Sequence, residues 1–271
     1  MAEHYLDNSA TTPVLREAAE KACSMMTGEF GNPSSLHGRG FRARQELEAA
    51  RGVIASRLGA SPGELVFTSG GTEANNLALF GAAEAGKRRG NRIVTTAVEH
   101  DSVLKPLKEL EKQGFELVFL KPEPSGGLSE EQLQNAIDEK TILVSVMLVN
   151  NETGAIFPVQ AAAKAIQRKK APALLHTDCV QAFGKLDFTP KKLGADLITV
   201  SAHKLHGPKG AGALYVRNGV RILPRALGGG QEKGLRSGTE SVPLLCAFGE
   251  AVRLLPEAAE TLPQVEKLNH L

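Results

Sequence analysis

The stretch Asp196-Leu-Ile-Thr-Val-Ser-Ala-His-Lys-Leu-His-Gly-Pro-Lys-Gly210 is mainly apolar at its start and mainly polar after that. Residues 197–200 are mostly apolar, as in a buried strand, and the sequence then turns polar at Ser201 and breaks at Gly207. A lysine just past such a strand suits covalent amine chemistry. Desolvation and cationic neighbours lower the pKa of an amine, and the neutral amine forms a Schiff base with an aldehyde. Judged from this stretch alone, Lys204 is equally well a solvated surface lysine.

Apolar strands and amphipathic helices alternate on both sides of this stretch. We predict about seven strands, at residues 64–68, 92–96, 115–120, 142–148, 173–177, 196–200 and 212–216. We predict helices before and between them, at residues 13–27, 39–58, 73–87, 102–113, 129–138 and 159–169. This alternation predicts an α/β fold with a mainly parallel mixed sheet flanked by helices on both faces.

Several helix boundaries carry specific signals. Thr12 and Pro13 are predicted as N-cap and first residue of the first helix. Ser129 with Gln132 predicts a capping box. After residue 240 the apolar residues again recur at helical spacing, and Pro256 and Pro263 are expected to interrupt the helix. The chain stops at Leu271 on an apolar periodic position without a capping glycine, so we expect a chain cut inside a helix.

Composition excludes several classes of protein. A net charge of +2 favours neither nucleic-acid binding nor its absence, but few aromatics and no Trp disfavour stacked single strands. We expect no signal peptide, because the first residues lack a basic segment and an apolar run. No apolar run is long enough to cross a bilayer, so no membrane is expected. Cys23, Cys179 and Cys246 form neither a metal-ligand pattern nor a disulfide framework. A reducing cytoplasm is the expected compartment.

Polar clusters follow two of the earlier predicted strands. Ser69-Gly-Gly-Thr72 lies at a helix N-terminus, where backbone N–H groups bind anions, although a plain turn is the alternative. His100 either stacks on a planar ligand and moves a proton, or only belongs to a capping loop. Each cluster alone is a modest signal.

Further polar residues follow the later strands. Residues 150–154 form a polar cluster or a simple turn. Asp178 comes after an apolar strand, and a buried carboxylate there needs a partner, either a salt bridge or the pyridinium nitrogen of pyridoxal 5'-phosphate (PLP). An anion cradle, an imidazole, a carboxylate and a Schiff-base lysine together indicate PLP.

Six motifs resemble those of the cysteine desulfurases, PLP enzymes of fold type I in the class-V aminotransferase family, of the NifS/IscS kind. They are Ser-Gly-Gly-Thr-Glu-Ala-Asn-Asn (69–76), Glu-His-Asp-Ser-Val (99–103), Asn-Asn-Glu-Thr-Gly (150–154), Asp-Cys-Val-Gln (178–181), Ser-Ala-His-Lys-Leu-His-Gly-Pro-Lys-Gly (201–210) and Gly-Gly-Gly-Gln-Glu-Lys-Gly-Leu-Arg-Ser-Gly-Thr (228–239). The motifs occur in the family's order and at family-like spacing.

The resemblance implies a role for individual residues. Lys204 would form the Schiff base with PLP and remove the Cα proton, and His100 would stack on the ring and take part in proton transfer. Asp178 would pair with the ring nitrogen, and Gln181 with the phenolic oxygen. The residues implied to contact the phosphate are Gly71, Thr72, Ser201 and His203.

The resemblance also implies an assembly and a reaction. Asn151 would lie near the cofactor and the substrate carboxylate, residues 8–12 would line the entrance, and Thr239 would reach the phosphate of the neighbouring subunit in a homodimer. The family converts L-cysteine to L-alanine and passes sulfur, through an enzyme persulfide, to acceptors for iron–sulfur clusters or tRNA thiolation. The implied division is an N-terminal segment (1–13), a PLP-binding large domain (14–240) and the start of a truncated helical C-terminal domain (241–271).

This sequence departs from the family pattern at the sulfur-accepting thiol. In the family a C-terminal loop carries the nucleophilic cysteine, and this chain ends before it. Cys179 is expected to pack beside the cofactor, and Cys23 and Cys246 are expected to be buried. We therefore expect PLP binding with little or no turnover of cysteine by this chain alone.

Two alternatives to a desulfurase remain open. A PLP-dependent lyase, of the selenocysteine lyase or cysteine β-elimination type, needs no protein thiol. A non-catalytic half-protein would need a partner chain. A dinucleotide site at residues 69–72 is disfavoured, because the fingerprint of spaced glycines and a later acidic residue is missing.

Overall fold

A seven-stranded mixed sheet forms the centre of the fold in the computed structural model, which describes residues 4–124 and 126–269. The strands are β1 (Leu65–Thr68), β2 (Arg92–Thr96), β3 (Glu116–Leu120), β4 (Thr141–Ser145), β5 (Leu174–Asp178), β6 (Leu197–Ser201) and β7 (Gly212–Val216). Their order is β1-β7-β6-β5-β4-β2-β3. Strand β7 runs antiparallel to β6 and β1, and the other neighbours are parallel. The predicted fold class is confirmed.

Helices cover both faces of the sheet. They are α1 (Arg16–Thr27), α2 (Gly38–Leu58), α3 (Gly71–Gly86), α4 (Asp101–Lys112), α5 (Glu130–Ala136), α6 (Val159–Lys169), α7 (Pro190–Leu193), α8 (Val242–Arg253) and α9 (Ala258–Asn269). Alternate strand residues point to opposite faces. Leu65 and Phe67 join a core with α2, α6 and α8, whereas Val66 joins a core with α3 and α4. Within the described ranges, no helix combines the length and the apolar character needed to cross a bilayer.

Helix α1 begins at Arg16, so the prediction of a start at Thr12 and Pro13 is wrong. The Thr12 hydroxyl donates to the carbonyl of His203 (3.0 Å) and accepts from the N–H of His206 (2.8 Å). The threonine therefore joins the N-terminal segment to the loop after β6 instead of capping a helix.

Other predicted boundaries fare differently. The capping box of Ser129 and Gln132 is confirmed at the start of α5. Strand β4 ends at Ser145, three residues before the predicted end, although the N–H groups of residues 146 and 148 still bond to β5 carbonyls. Pro256 separates α8 from α9 as predicted, but Pro263 lies inside α9. The prediction that Pro263 interrupts the helix is wrong, because α9 continues past it to Asn269.

Helix α8 packs on α1 and α2 and contributes Leu245 and Phe248 to the main core. Gly249 lets α8 approach α2 closely, because a Cβ at that position would lie 2.7 Å from the Cβ of Ala50. The predicted helical piece ending at Leu271 corresponds to α9 as far as Asn269, and Leu271 lies outside the described residues.

Candidate active site

A cavity of about 560 Å³ opens beyond the carboxyl ends of the central parallel strands, where ligands bind in open α/β sheets. It is lined by every predicted cofactor residue except Thr239. These are Gly71, Thr72, His100, Asn151, Asp178, Gln181, Ser201, His203 and Lys204. Asp7, Ser9 and Ala10 of the N-terminal segment close one side of the cavity.

Lys204 lies in a short turn directly after β6, half-buried at the cavity wall. Its ammonium donates hydrogen bonds to the carbonyls of Ser9 and Ala10. Desolvation lowers the pKa of Lys204, and the negative charges of Asp178, Asp7 and Glu152 oppose this shift only in part. The amine is therefore more easily deprotonated than a surface lysine.

Asp178 is the last residue of β5 and is buried. One carboxylate oxygen accepts from the N–H of Val180 (2.9 Å) and the other from Nδ2 of Asn75 (2.8 Å). Desolvation raises the pKa of Asp178, opposed by these two hydrogen bonds and by the charges of His100 and Lys204. A cation bound against this carboxylate would offset the cost of its burial.

The turn between β1 and α3 forms an anion cradle. Gly70 has φ of 151°, and a Cβ at Gly71 would lie 2.9 Å from Cγ2 of Val180. The Ser201 hydroxyl is buried in the same place and has no hydrogen-bond partner among the described residues. Together with the free N–H groups at the start of α3, this donor fits a phosphate.

An adjoining cavity of about 380 Å³ shares all four predicted phosphate residues with the main cavity and adds Lys209. The imidazole of His203 lies 3.3 Å from the hydroxyl of Thr11. Desolvation and the charges of Lys204 and Lys209 lower the pKa of His203. The cradle thus combines cationic, hydroxyl and backbone donors, as an anion site requires.

Gln181 and Asn151 line the same cavity as Lys204. The Gln181 amide nitrogen donates to the carbonyl of Ser9 (2.9 Å), and its oxygen accepts from the ammonium of Lys185 (3.1 Å). Because an ammonium only donates, Lys185 orients the Gln181 amide with its nitrogen toward the Ser9 carbonyl. Asn151 donates to the carboxylate of Glu152.

His100 is the N-cap of α4, and its Nδ1 accepts from the N–H of Ser102 (3.1 Å). Ser102 and Asn75 connect His100 to Asp178, and sequence reasoning missed both. The signal for Asn75 is its position on α3 beside Ala74 and Ala78, where a buried polar side chain needs partners.

Glu99 is a third residue near the cavity segments to which sequence reasoning gave no role. Its carboxyl is buried, and one oxygen accepts from the Thr96 hydroxyl (2.8 Å) and from the N–H of Met147 (2.9 Å). The other oxygen has no partner among the described residues. Desolvation raises the pKa of Glu99 to about 8. The neutral carboxyl joins the loop before α4 to the segment after β4.

Glu99→Gln is expected to flatten the dependence of stability on pH. From the ordinary pKa of 4.5 to the folded value of about 8, the folded chain retains a proton that the unfolded chain has released. The free energy of unfolding of the wild type therefore falls as pH rises through this window, by roughly 3–5 kcal/mol. Glutamine stays neutral throughout. Urea unfolding at several pH values measures the slope, with the exposed Glu111→Gln as control, and an unchanged slope in Glu99→Gln would contradict this assignment.

Thr239 lies outside the main cavity. It is exposed and lines a separate cavity with Met25 and Phe30. Its loop is held by ion pairs from Glu232 to Arg51 and from Arg236 to Glu73. Within a single chain Thr239 does not meet the cradle, and its contact with a neighbouring subunit stays a prediction.

None of the three cysteines, all within the described residues, lines the main cavity. Cys179 and Cys246 are buried as expected, and desolvation raises the pKa of both thiols, that of Cys246 to about 12. The expectation that Cys23 is buried is wrong, because it lies on the exposed side of α1. The cavity therefore has no cysteine nucleophile of its own in this chain.

The sequence and the fold match known proteins along nearly the whole chain. The aminotransferase class-V family model matches residues 4–270. The cysteine desulfurase IscS 1 of Archaeoglobus fulgidus is 45% identical over 250 residues, which cover 92% of this chain and 65% of that protein. The structure of a NifS-like protein superposes with a TM-score of 0.92 at 41% identity, covering 98% of this chain and 72% of that one.

A structure of SspA in complex with cysteine gives a TM-score of 0.91 at 37% identity and covers 99% of this chain and 78% of that one. The chain spans about two thirds of the length of the curated relatives it matches, 65% in one case and 67% in another. Matches of this extent, together with the cavity at the strand ends, show that the chain belongs to the class-V aminotransferase family, to which its cysteine desulfurase relatives also belong.

Proposed function

We propose that this cavity binds PLP and carries the amino-acid chemistry of a cysteine desulfurase. Cysteine desulfurases and class-V aminotransferases depend on PLP. The observation that carries the proposal is the convergence on one cavity of Lys204, buried Asp178 and the Ser201 hydroxyl, which has no hydrogen-bond partner among the described residues. The amine, the carboxylate and the anion cradle match the aldehyde, the ring nitrogen and the phosphate of PLP in chemical kind.

The residues of this chain would divide the work as their surroundings permit. When bound, PLP supplies an electron sink that weakens the Cα–H bond of an amino acid. Lys204, with its lowered pKa, moves the proton at Cα through Nζ. Asp178 balances positive charge at the ring nitrogen, and Gln181 offers a hydrogen bond at the phenolic oxygen. The phosphate is held at Gly71, Thr72, Ser201 and His203.

The proposed overall reaction converts L-cysteine to L-alanine and transfers sulfur through a persulfide to an acceptor protein. A persulfide needs a nucleophilic thiol, and no cysteine of this chain lines the cavity. We infer that this thiol comes from outside the 271 residues. We further propose a homodimer in which Thr239 reaches the phosphate in the neighbouring subunit. The proposed sulfur acceptors serve iron–sulfur clusters or tRNA thiolation, and the proposed location is the cytoplasm.

Exchange of the Cα hydrogen tests the proposal without needing a thiol. The 271-residue chain is incubated with PLP and L-alanine in D₂O, and deuterium at Cα is followed by mass spectrometry. We expect exchange well above that of PLP without protein. Exchange no faster than free PLP, in a chain that has bound PLP, would contradict the proposed chemistry.

Products from L-cysteine separate the desulfurase from its rivals. We expect little alanine from this chain alone, because the thiol is absent from the cavity. Formation of pyruvate would favour the lyase. The lyase needs no protein thiol, and no cysteine lines the cavity. Alanine formed only after a second chain is added would favour the half-protein. Rapid alanine formation by the chain alone would contradict the inferred need for an outside thiol.

A further inference from the structure

A buried chain of hydrogen bonds runs from Asp178 to His100. Nδ2 of Asn75 lies 2.8 Å from Oδ2 of Asp178 and 2.8 Å from Oγ of Ser102. Oγ of Ser102 in turn lies 2.8 Å from Nδ1 of His100. Asn75 is completely buried, and Ser102 and Asp178 are nearly so. These contacts link two predicted site residues through two residues that had no assigned role.

The direction of each hydrogen bond follows from which groups donate. Turning the Asn75 amide over would place its oxygen against the Asp178 carboxylate, which cannot donate when ionised. Asn75 therefore donates one hydrogen to Asp178 and the other to Ser102. Its own oxygen is left without a partner among the described residues. An unsatisfied buried oxygen is costly, and the two donated hydrogen bonds offset that cost. These two hydrogen bonds therefore determine the orientation of the amide.

The same reasoning continues to the imidazole. Because Oγ of Ser102 accepts from Asn75, its hydroxyl hydrogen points to Nδ1 of His100. The backbone N–H of Ser102 also points to Nδ1, at 3.1 Å, and a backbone N–H only donates. Nδ1 receives two donors and carries no hydrogen. The hydrogen of a neutral His100 ring therefore lies on Nε2.

We propose that Asn75 and Ser102 are positioning residues that hold neutral His100 in its Nε2–H tautomer and orient the carboxylate of Asp178. His100 then presents a hydrogen-bond donor to the cavity, and its lone pair at Nδ1 is not available to take up a proton there. The tautomer is a property of this chain alone. Its use against a bound ring rests on the proposed PLP function.

The tautomer can be measured directly by two-bond ¹H–¹⁵N correlation on the 271-residue chain labelled with ¹⁵N-histidine, without PLP or an amino acid. The chain has seven histidines, and the set of signals lost in His100→Gln identifies His100. We expect a bare Nδ1 and a protonated Nε2, with this tautomer favoured by about tenfold or more, since two hydrogen bonds support it. A protonated Nδ1, or averaged signals like those of free histidine, would overturn the proposal.

Two variants test the positioning residues separately. Asn75→Ala frees Oγ of Ser102 to accept a hydrogen bond from Nδ1, and Ser102→Ala removes that hydroxyl. We expect both variants to weaken the tautomer preference, while the backbone N–H of Ser102 keeps part of it in each. Asn76→Ala is the matched control and should keep the wild-type pattern, because the Asn76 side chain donates to the Thr72 carbonyl and takes no part in the chain of hydrogen bonds from Asp178 to His100. Wild-type tautomer populations in both Asn75→Ala and Ser102→Ala would overturn the proposal. If Asn75→Ala does not fold, Ser102→Ala and the wild-type spectrum still test it.

Since no cofactor is present in this experiment, its failure leaves the PLP proposal untouched. Conversely, a chain that shows the Nε2–H tautomer but catalyses no Cα exchange with PLP would contradict the proposed function and not the tautomer.

Discussion

Lys204→Arg is expected to lower PLP-dependent Cα–H exchange of L-alanine by about 10²–10⁴-fold, the usual contribution of a positioned general base. Arginine keeps the positive charge beside the Ser9 and Ala10 carbonyls, but a guanidinium does not deprotonate in proteins. The group that moves the proton is thus removed while the local charge remains. The deuterium-incorporation rate measures the effect.

The control for this substitution is Lys191→Arg on the exposed surface of α7. It makes the same chemical change far from the cavity and should leave the exchange rate unaltered. If Lys204→Arg retains the wild-type rate while Lys191→Arg behaves as expected, another base removes the proton and the role given to Lys204 is wrong.

Glu232→Ala is expected to reduce the free energy of unfolding by about 3–5 kcal/mol, because it leaves the buried guanidinium of Arg51 without its buried carboxylate partner. Arg51 donates to both oxygens of Glu232, at 2.9 Å and 2.7 Å, and lies over the ring of Phe67. Glu232 also accepts from the N–H of Phe67 (2.8 Å). The pair therefore joins α2 and β1 to the loop that carries Thr239. Urea denaturation followed by circular dichroism measures the loss.

Glu48→Ala provides a matched comparison, since Glu48 contacts the same Arg51 at 3.1 Å. The Glu48 side chain is 54% exposed whereas that of Glu232 is 2% exposed. Exposed ion pairs contribute about 0–1 kcal/mol, so the two alanine variants should differ several-fold. Equal losses would show that burial does not determine the contribution of this pair.

The sheet and most helix positions follow from the sequence because apolar period and turn residues are local signals. Thr12 shows where local signals fail. Its Thr-Pro sequence is typical of a helix start, but its hydroxyl bonds to His203 and His206, which lie almost 200 positions away and are close only in the folded chain. The prediction that Cys23 is buried fails for a similar reason. An apolar face can be predicted, but its edges depend on which neighbours pack against it.

The candidate site divides in the same way. Residues that face the cavity, such as Asp178 and Lys204, lie at or just after strand ends and could be found from the sequence. Asn75, Ser102 and Glu99 lie behind them, and their roles depend on hydrogen bonds between separate elements. Single positions give no sign of such bonds, because the chain segments that supply the partners are distant in sequence.

We propose that Lys204 is the residue that bonds covalently to PLP in this cavity. The most direct measurement adds PLP to the 271-residue chain, reduces the mixture with borohydride and maps the pyridoxyl-labelled peptide by mass spectrometry. A yellow protein with the label on Lys204 alone, lost in Lys204→Arg, is the expected result. Label scattered over surface lysines, or a chain that takes up no chromophore, would contradict the account.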